Sequence, residues 1–187
     1  MDDESYFSFD GSGIANNKHF YYKEGENVDS ESVSLAISSR GHSSAFICPS
    51  GNSINGNIYE KYCVRSRLAR FIRNKHSDGN FIFWPDMATA HYAANVIAAY
   101  EDLNINYVPK KQNVPNVPQL RPIERIWRNL QREVYSGGWE ASSHKELKQR
   151  ILLKIWQSKT STFENLMCRV KTKICQASRY GPIPFFK

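Results

Sequence analysis

Three carboxylates, Asp3, Asp86 and Glu124, are the residues of this sequence whose chemistry could support catalysis. Hard cations such as Mg²⁺ prefer oxygen ligands, and a few carboxylates usually hold them together with water and substrate phosphate. Two such ions can stabilise the attacking and leaving oxygens of an in-line displacement at phosphorus. The three residues therefore predict metal-dependent phosphoryl transfer without a histidine or cysteine ligand.

Asp86 follows an apolar run, residues 81–84, that predicts a strand buried on both faces and ended by Pro85. Open α/β sheets bind their ligands outside the carboxyl ends of such strands. An aspartate in this place is also a common helix N-cap, which is the more frequent role when the position is considered alone.

Glu124 and Asp3 each have an ordinary structural explanation as well. Glu124 falls in the first turn of a helix predicted to begin near Arg121, where an acidic residue interacts favourably with the helix dipole. Pro122 fits that first turn because its missing N–H costs no hydrogen bond. Asp3 opens the first predicted strand within an acidic terminus that could simply be solvated.

The surrounding pattern predicts the elements that would position these carboxylates. Short strands separated by glycine turns predict an antiparallel meander, over residues 5–10, 19–23, 32–39 and 44–48. A short strand at 105–108 and a proline-rich loop at 109–118 follow further along. Apolar residues at three- and four-residue steps predict helices over 57–74, 90–103, from 121, 143–159 and 162–178. This order predicts an α/β fold, a mixed sheet flanked by helices on both sides.

The composition limits the functional classes. The 187 residues fit one domain, and 41% hydrophobic residues suffice for a core. A net charge of +7 favours a polyanionic partner about as strongly as it favours a merely basic surface. No apolar run is long enough to span a membrane, and the N-terminus resembles no secretory signal. None of the four cysteines forms a CxxC pair, so a structural zinc site is not expected. Cys168 and Cys175 are seven residues apart and would share one helix face, where they are predicted to be small core residues.

Basic residues cluster near the third carboxylate. Arginines at spacings of four, three and four predict one helix stripe, and two lysines precede it in the loop: Lys110, Lys111, Arg121, Arg125, Arg128 and Arg132. We interpret this set as a phosphate-contacting face, with a solvated face as the alternative. His91 and Trp127 are predicted to have a hydrogen-bonded structural role and a packing role, respectively.

Three motifs resemble the catalytic domain of mariner-superfamily transposases, which are DDE enzymes with a ribonuclease-H-like fold. The first is Asp3-Glu4-Ser5 before an aromatic residue, and the second is Asp86 after an aromatic-rich strand, with Ala88 and His91 following. The third is a proline-rich pattern around the last acid, formed by Pro118, Leu120, Pro122, Ile123, Glu124 and Trp127. The similarity runs from about residue 2 to about residue 181.

The resemblance implies that residues 1–187 form one DDE catalytic domain, with the helices at about 143–179 packed on it. It implies that Asp3, Asp86 and Glu124 are catalytic and bind two Mg²⁺ or Mn²⁺ ions. The implied reaction is DNA strand cleavage and strand transfer, on double-stranded DNA at transposon ends and target, in the nucleus. A homodimer is also compatible with it, and no membrane partner is expected.

The sequence departs from the family at three positions. Gln119 and Arg121 stand where an acidic residue and an asparagine are common, and Met87 stands where an asparagine often follows the second aspartate. The helix-turn-helix domain that precedes the first aspartate in the family is expected to be absent here. Two other hypotheses therefore stay open: an inactive or co-opted DNA-binding relic, and a cellular nuclease that cuts without joining.

Overall fold

The computed structural model describes residues 1–11, 30–49, 52–114 and 120–180. Four strands form one sheet: β1 (Asp2–Ser8), β2 (Ser30–Ser38), β3 (Gly41–His42) and β4 (Phe46–Ile47). β1 pairs antiparallel with β2 over its whole length, and β3 and β4 also pair antiparallel with β2. The antiparallel pairing predicted from the glycine turns is confirmed, whereas the strand predicted at 19–23 lies outside the described residues.

β2 is the central strand of this sheet and is buried on both of its faces. Val33, Leu35 and Ile37 face one side, as their alternation predicted. Ser32 and Ser34 on the opposite side are buried as well, because helices cover that face too. A strand covered on both sides positions its neighbour β1 firmly, and β1 carries Asp3.

Parallel pairing occurs at one isolated bridge, between Phe83 and Tyr107. The Phe83 N–H donates to Asn106 O at 2.7 Å, and Val108 N–H donates to Phe83 O at 2.9 Å. The strands predicted at 81–84 and 105–108 are therefore reduced to this one bridge, which brings the two segments side by side. The prediction that residues 81–84 are buried on both faces is wrong, because Ile82 points outward and is 72% exposed.

The helical segment predicted at 57–74 is present and begins slightly earlier. It consists of α1 (Gly56–Ile58), a π-helical stretch (Tyr59–Leu68) and α2 (Ala69–Lys75). The helix predicted at 90–103 is shorter, since α3 (Ala94–Asp102) begins only after a 3₁₀ turn (Thr89–Tyr92). Ala93 separates the two with an extended backbone, at ψ 149°.

The C-terminal half consists of α4 (Ile123–Val134), α5 (His144–Trp156), α6 (Thr160–Met167) and α7 (Val170–Tyr180). The single helix predicted at 162–178 is therefore two helices. The prediction that Cys168 and Cys175 are core residues is wrong, because both are exposed. The predicted apolar stripe of α4 is confirmed, since Ile123, Ile126 and Leu130 are all buried.

Two apolar layers lie on opposite sides of the sheet. One packs the sheet against α4, α5 and α6, and it contains Phe7, Leu35, Trp127 and Ile151. The other packs it against the helical segment 56–75 and α3. The chain thus has the predicted mixed sheet flanked by helices on both sides. Among the described residues, no helix has the length and apolarity needed to cross a membrane.

Candidate active site

Side-chain alternation along β1 separates its acidic residues into two groups. Asp3 lies on the side of the strand that packs against α4, which we call the α4 face. There the Trp127 Nε1–H donates a hydrogen bond to Asp3 Oδ2 at 3.2 Å, and the indole packs edge-on against Phe7. Asp2 and Glu4 point to the opposite side, which we call the His91 face. Trp127 therefore both packs, as predicted, and orients the Asp3 carboxylate.

Asp86 lies in the segment between the Phe83 bridge and the 3₁₀ turn, and its side chain is 31% exposed. One carboxylate oxygen, Oδ2, accepts a hydrogen bond from the Ala88 N–H at 3.3 Å. The other, Oδ1, is 3.7 Å from Nη2 of Arg121. Asp86 therefore does not cap α3, which begins eight residues further on.

Glu124 lies in the first turn of α4, as predicted. Burial raises its pKa, the nearby Arg121 lowers it and Asp86 raises it again. Burial also holds the pKa of Asp3 well above its usual range, and the charges of Glu124 and Asp86 add to that effect. Like charges close together disfavour ionisation, so Asp86 raises the pKa of both Asp3 and Glu124, and Glu124 raises that of Asp3. The fold has thus gathered the three carboxylates into one electrostatic cluster.

The chemistry of this cluster fits hard divalent cations, because its donors are carboxylate oxygens. The arrangement of these side chains is not that of a complete coordination shell. Within the described residues, no three His, Cys, Asp or Glu side chains are arranged so that they could hold a metal ion. The three acids are therefore electrostatic neighbours without converging on one point.

Most of the predicted basic face is accessible. Arg125, Arg128 and Arg132 are exposed along α4, and Lys110 and Lys111 are exposed in a 3₁₀ turn (Lys110–Gln112). The exposed cations of α4 begin one residue after Glu124. This placement is compatible with phosphate contact as well as with solvation.

Arg121 does not belong to that face, and the prediction that it forms part of an exposed helix stripe is wrong. It precedes α4 and is only 8% exposed. Its Nη2 donates to the carbonyl oxygen of Asp2 at 2.7 Å, and its Nη1 donates to the carbonyl oxygen of Pro85 at 3.2 Å. The guanidinium also lies 5.6 Å from the ring of Trp84.

Asn113 is a site-supporting residue that the sequence did not indicate. Its side chain is buried, and its Nδ2 donates to Pro85 O at 2.9 Å and to the Tyr92 hydroxyl at 2.7 Å. Its Oδ1 accepts from the indole N–H of Trp84 at 2.6 Å. No pattern could have revealed this role, because an asparagine in a proline-rich loop is ordinary turn chemistry.

The His91 face of β1 holds a buried polar cluster. His91 is fully buried, and its Nε2 lies 3.0 Å from Glu4 Oε1 and 3.8 Å from Asp2 Oδ2. The hydroxyl of Tyr59 donates a hydrogen bond to Asp2. Burial lowers the pKa of His91, but the two carboxylates outweigh it and raise the pKa to about 9. The predicted hydrogen-bonded role of His91 is confirmed, and the histidine contacts the back of the strand that carries Asp3.

Several solved structures share this architecture. The Mos1 transposase paired-end complex with left transposon end matches with a TM-score of 0.75 and 14% identity, over 97% of this chain and 54% of the other. The catalytic domain of Mos1 mariner transposase matches with a TM-score of 0.71 and 15% identity, over 97% and 80%. The same catalytic domain with raltegravir and Mg matches with a TM-score of 0.67 and 16% identity, over 95% and 81%.

The chain thus spans about half of the Mos1 chain in the paired-end complex. No family model and no curated protein sequence matches it. At this level of identity the likeness is one of fold. Over nearly its whole length, the chain has the ribonuclease-H-like fold of the catalytic domain of Mos1 mariner transposase.

Proposed function

We propose that this chain is the catalytic domain of a DNA transposase that cleaves DNA strands and joins them to a target. The observation that carries the proposal is the clustering of Asp3, Asp86 and Glu124, since Asp86 and Glu124 both raise the pKa of Asp3 and Asp86 raises that of Glu124. The same fold in Mos1 was solved in complexes with transposon-end DNA and with Mn or Mg. We accordingly assign double-stranded DNA as the substrate, with a nuclear location.

The residues of the site would divide the work as follows. Asp3, Asp86 and Glu124 would hold two Mg²⁺ or Mn²⁺ ions through carboxylate oxygens. When bound, such ions activate the attacking oxygen, first of water and then of the freed 3′ hydroxyl, and they stabilise the leaving oxygen. The Trp127 N–H orients Asp3, and the Ala88 N–H orients Asp86. Direct displacement at phosphorus requires no covalent protein intermediate.

The exposed cations supply the second part of the proposal. Lys110 and Lys111 and the α4 arginines contact the phosphate backbone near the carboxylates. Such contacts position DNA without reading its sequence. A homodimer, in which two copies hold two DNA ends, is compatible with this arrangement.

The assignment is tested with Asp86→Asn in a plasmid-nicking assay with Mg²⁺ or Mn²⁺. We expect nicking to fall about a thousandfold or more, because the loss of a metal ligand removes several kcal/mol of transition-state stabilisation. Circular dichroism should show an intact fold. A pre-cut duplex end with a free 3′ hydroxyl then tests joining, which separates a transposase from a nuclease that only cuts.

Asp102→Asn is the matched control, because Asp102 is an exposed aspartate whose surface ion pair with Arg65 contributes little to stability. It should nick at the wild-type rate. Equal nicking by Asp86→Asn and wild-type protein would overturn the assignment.

A second candidate is a DNA-binding module without chemistry, and the exposed arginines of α4 favour it. This candidate predicts salt-sensitive DNA binding by a protein that never nicks, whatever metal is present. Metal-dependent nicking that disappears in Asp86→Asn excludes it.

A further inference from the structure

Arg121 occupies a place in the fold that touches all three acid-bearing segments. Its Nη2 binds the carbonyl of Asp2, which belongs to the peptide group that joins Asp2 to Asp3. Its Nη1 binds the carbonyl of Pro85, which belongs to the peptide group that joins Pro85 to Asp86. Its own carbonyl accepts a hydrogen bond from the N–H of Glu124 at 3.3 Å.

A guanidinium suits this position because it carries two donor nitrogens in a fixed planar fork. The two carbonyls are bound by different nitrogens of this fork, whereas a lysine would have to reach both from one nitrogen. Burying the cation is costly, and its nearest carboxylate, Asp86, is 3.7 Å away. In addition, Nε of Arg121 is buried without a hydrogen-bond partner. Given this cost, the burial of Arg121 is better explained by the geometry that it imposes than by net stabilisation.

We propose that Arg121 is a positioning residue that fixes the backbones carrying Asp3 and Asp86 relative to the start of α4. Asn113 supports the same arrangement, because it binds the Pro85 carbonyl from a second direction. This inference rests on the proposed function and assigns Arg121 a role other than DNA contact. A residue that acts by positioning the metal-binding carboxylates should alter metal affinity and kcat. A residue that contacts DNA should instead alter the KM for DNA.

Arg121→Lys is the informative variant, since it keeps the positive charge and loses the fork. Outer-sphere substitutions typically cost about 10–100-fold in metal affinity or activity, and we expect a loss of that size in Mn²⁺ affinity and in kcat. The KM for DNA should stay unchanged, because Arg121 is buried. Calorimetric titration with Mn²⁺ alone and steady-state nicking measure the two quantities.

Arg73→Lys is the matched control, being the same substitution at an exposed arginine of α2, outside the proposed DNA-contacting face. It should leave Mn²⁺ affinity and kcat unchanged. Arg121→Gln removes the charge as well and provides a second variant if the lysine variant does not fold. Wild-type Mn²⁺ affinity and kcat in Arg121→Lys would overturn the inference, as would a change confined to KM.

Amide hydrogen exchange tests the positioning role without metal or DNA. Peptides covering residues 2–8 and 85–92 should exchange faster in Arg121→Lys, while peptides from α5 should not change. Unaltered exchange in both segments would refute the role. If wild-type protein neither binds Mn²⁺ nor nicks DNA, the proposed function fails, and the exchange data still decide whether Arg121 holds the two segments.

Discussion

The two faces of β1 surround neighbouring acidic residues with different charges, although burial raises the pKa of both Asp2 and Asp3. On the His91 face, Asp2 and Glu4 share a buried histidine whose raised pKa of about 9 keeps a positive charge beside them. On the α4 face, Asp3 lies near two further carboxylates, and its pKa is held well above the usual range by burial and by their charges.

The difference separates a structural cluster from the proposed functional one. Charges buried in a protein are normally paired, because an unpaired buried charge costs several kcal/mol. The His91 face follows this rule. On the α4 face, Arg121 lies 3.7 Å from Asp86 and offsets part of the repulsion, yet the pKa values of Asp3 and Glu124 remain raised. A departure of this kind is expected where function requires it. The same strand therefore anchors itself on one face and presents Asp3, the proposed metal ligand, on the other.

The largest expected difference in nicking activity is between the variants Asp3→Asn and Glu4→Gln. Both replace a carboxylate by an amide, one on each face. We expect Asp3→Asn to lose metal-dependent nicking about a thousandfold or more, because a metal ligand is removed. Its unfolding temperature should not fall, because repulsion with Asp86 and Glu124 is relieved. Glu4→Gln should retain nicking, and equal losses in the two variants would contradict the functional distinction between the faces.

His91→Gln should weaken the fold through the His91 face. Removing the buried imidazolium leaves Asp2 and Glu4 without their cationic partner. The loss of one partner of a buried ion pair costs about 3 kcal/mol of unfolding free energy. Urea unfolding at pH 7 measures this free energy. His42→Gln is the control, since His42 contacts the backbone carbonyl of Ser43. Equal unfolding midpoints for wild type and His91→Gln would show that the cluster adds no stability.

The same variant predicts a pH dependence. The pKa of His91 is about 9 in the fold, above its unfolded value of about 6.5. A raised histidine pKa stabilises fully below the unfolded value, and this stability is lost as the pH rises through the folded value. Tyr59, which faces the ring, has a pKa raised well above 10 and does not titrate in this range. Burial lowers the pKa of the Met1 ammonium to about 6, and this group titrates in both proteins. The expected result is therefore a difference: the stability of wild type relative to His91→Gln should fall between about pH 6.5 and 9.

The smallest effect concerns the surface beside the α4 face. Replacing Arg125, Arg128 and Arg132 by alanine should weaken DNA binding and reduce its salt dependence by about one unit of slope per lost phosphate contact. Fluorescence anisotropy over a salt series measures both. The control removes three cations at α7, Arg169, Lys171 and Arg179, with the same change in net charge. Identical losses of DNA affinity in the two triple variants would show that only net charge matters, and would contradict a specific contact face on α4.

Local patterns in the sequence predicted much of the fold. The apolar stripe of α4 and the place of Glu124 in its first turn follow from the three- and four-residue spacing. The antiparallel meander follows from short strands with glycine turns. The limits of local patterns appear at Ile82, which lies in an apolar run and is nevertheless exposed. Its exposure depends on which neighbours cover the segment, and the run itself does not contain that information.

The sequence by itself determined the candidate carboxylates, the elements that carry them and the predicted chemistry of the site. Only the tertiary structure decided that Arg121 is buried between the segments of Asp3 and Asp86 rather than exposed beside them. Asn113 likewise gained its role only through the fold. The physical reason is that helix and strand periods are short-range properties, whereas these hydrogen bonds join residues far apart in the chain.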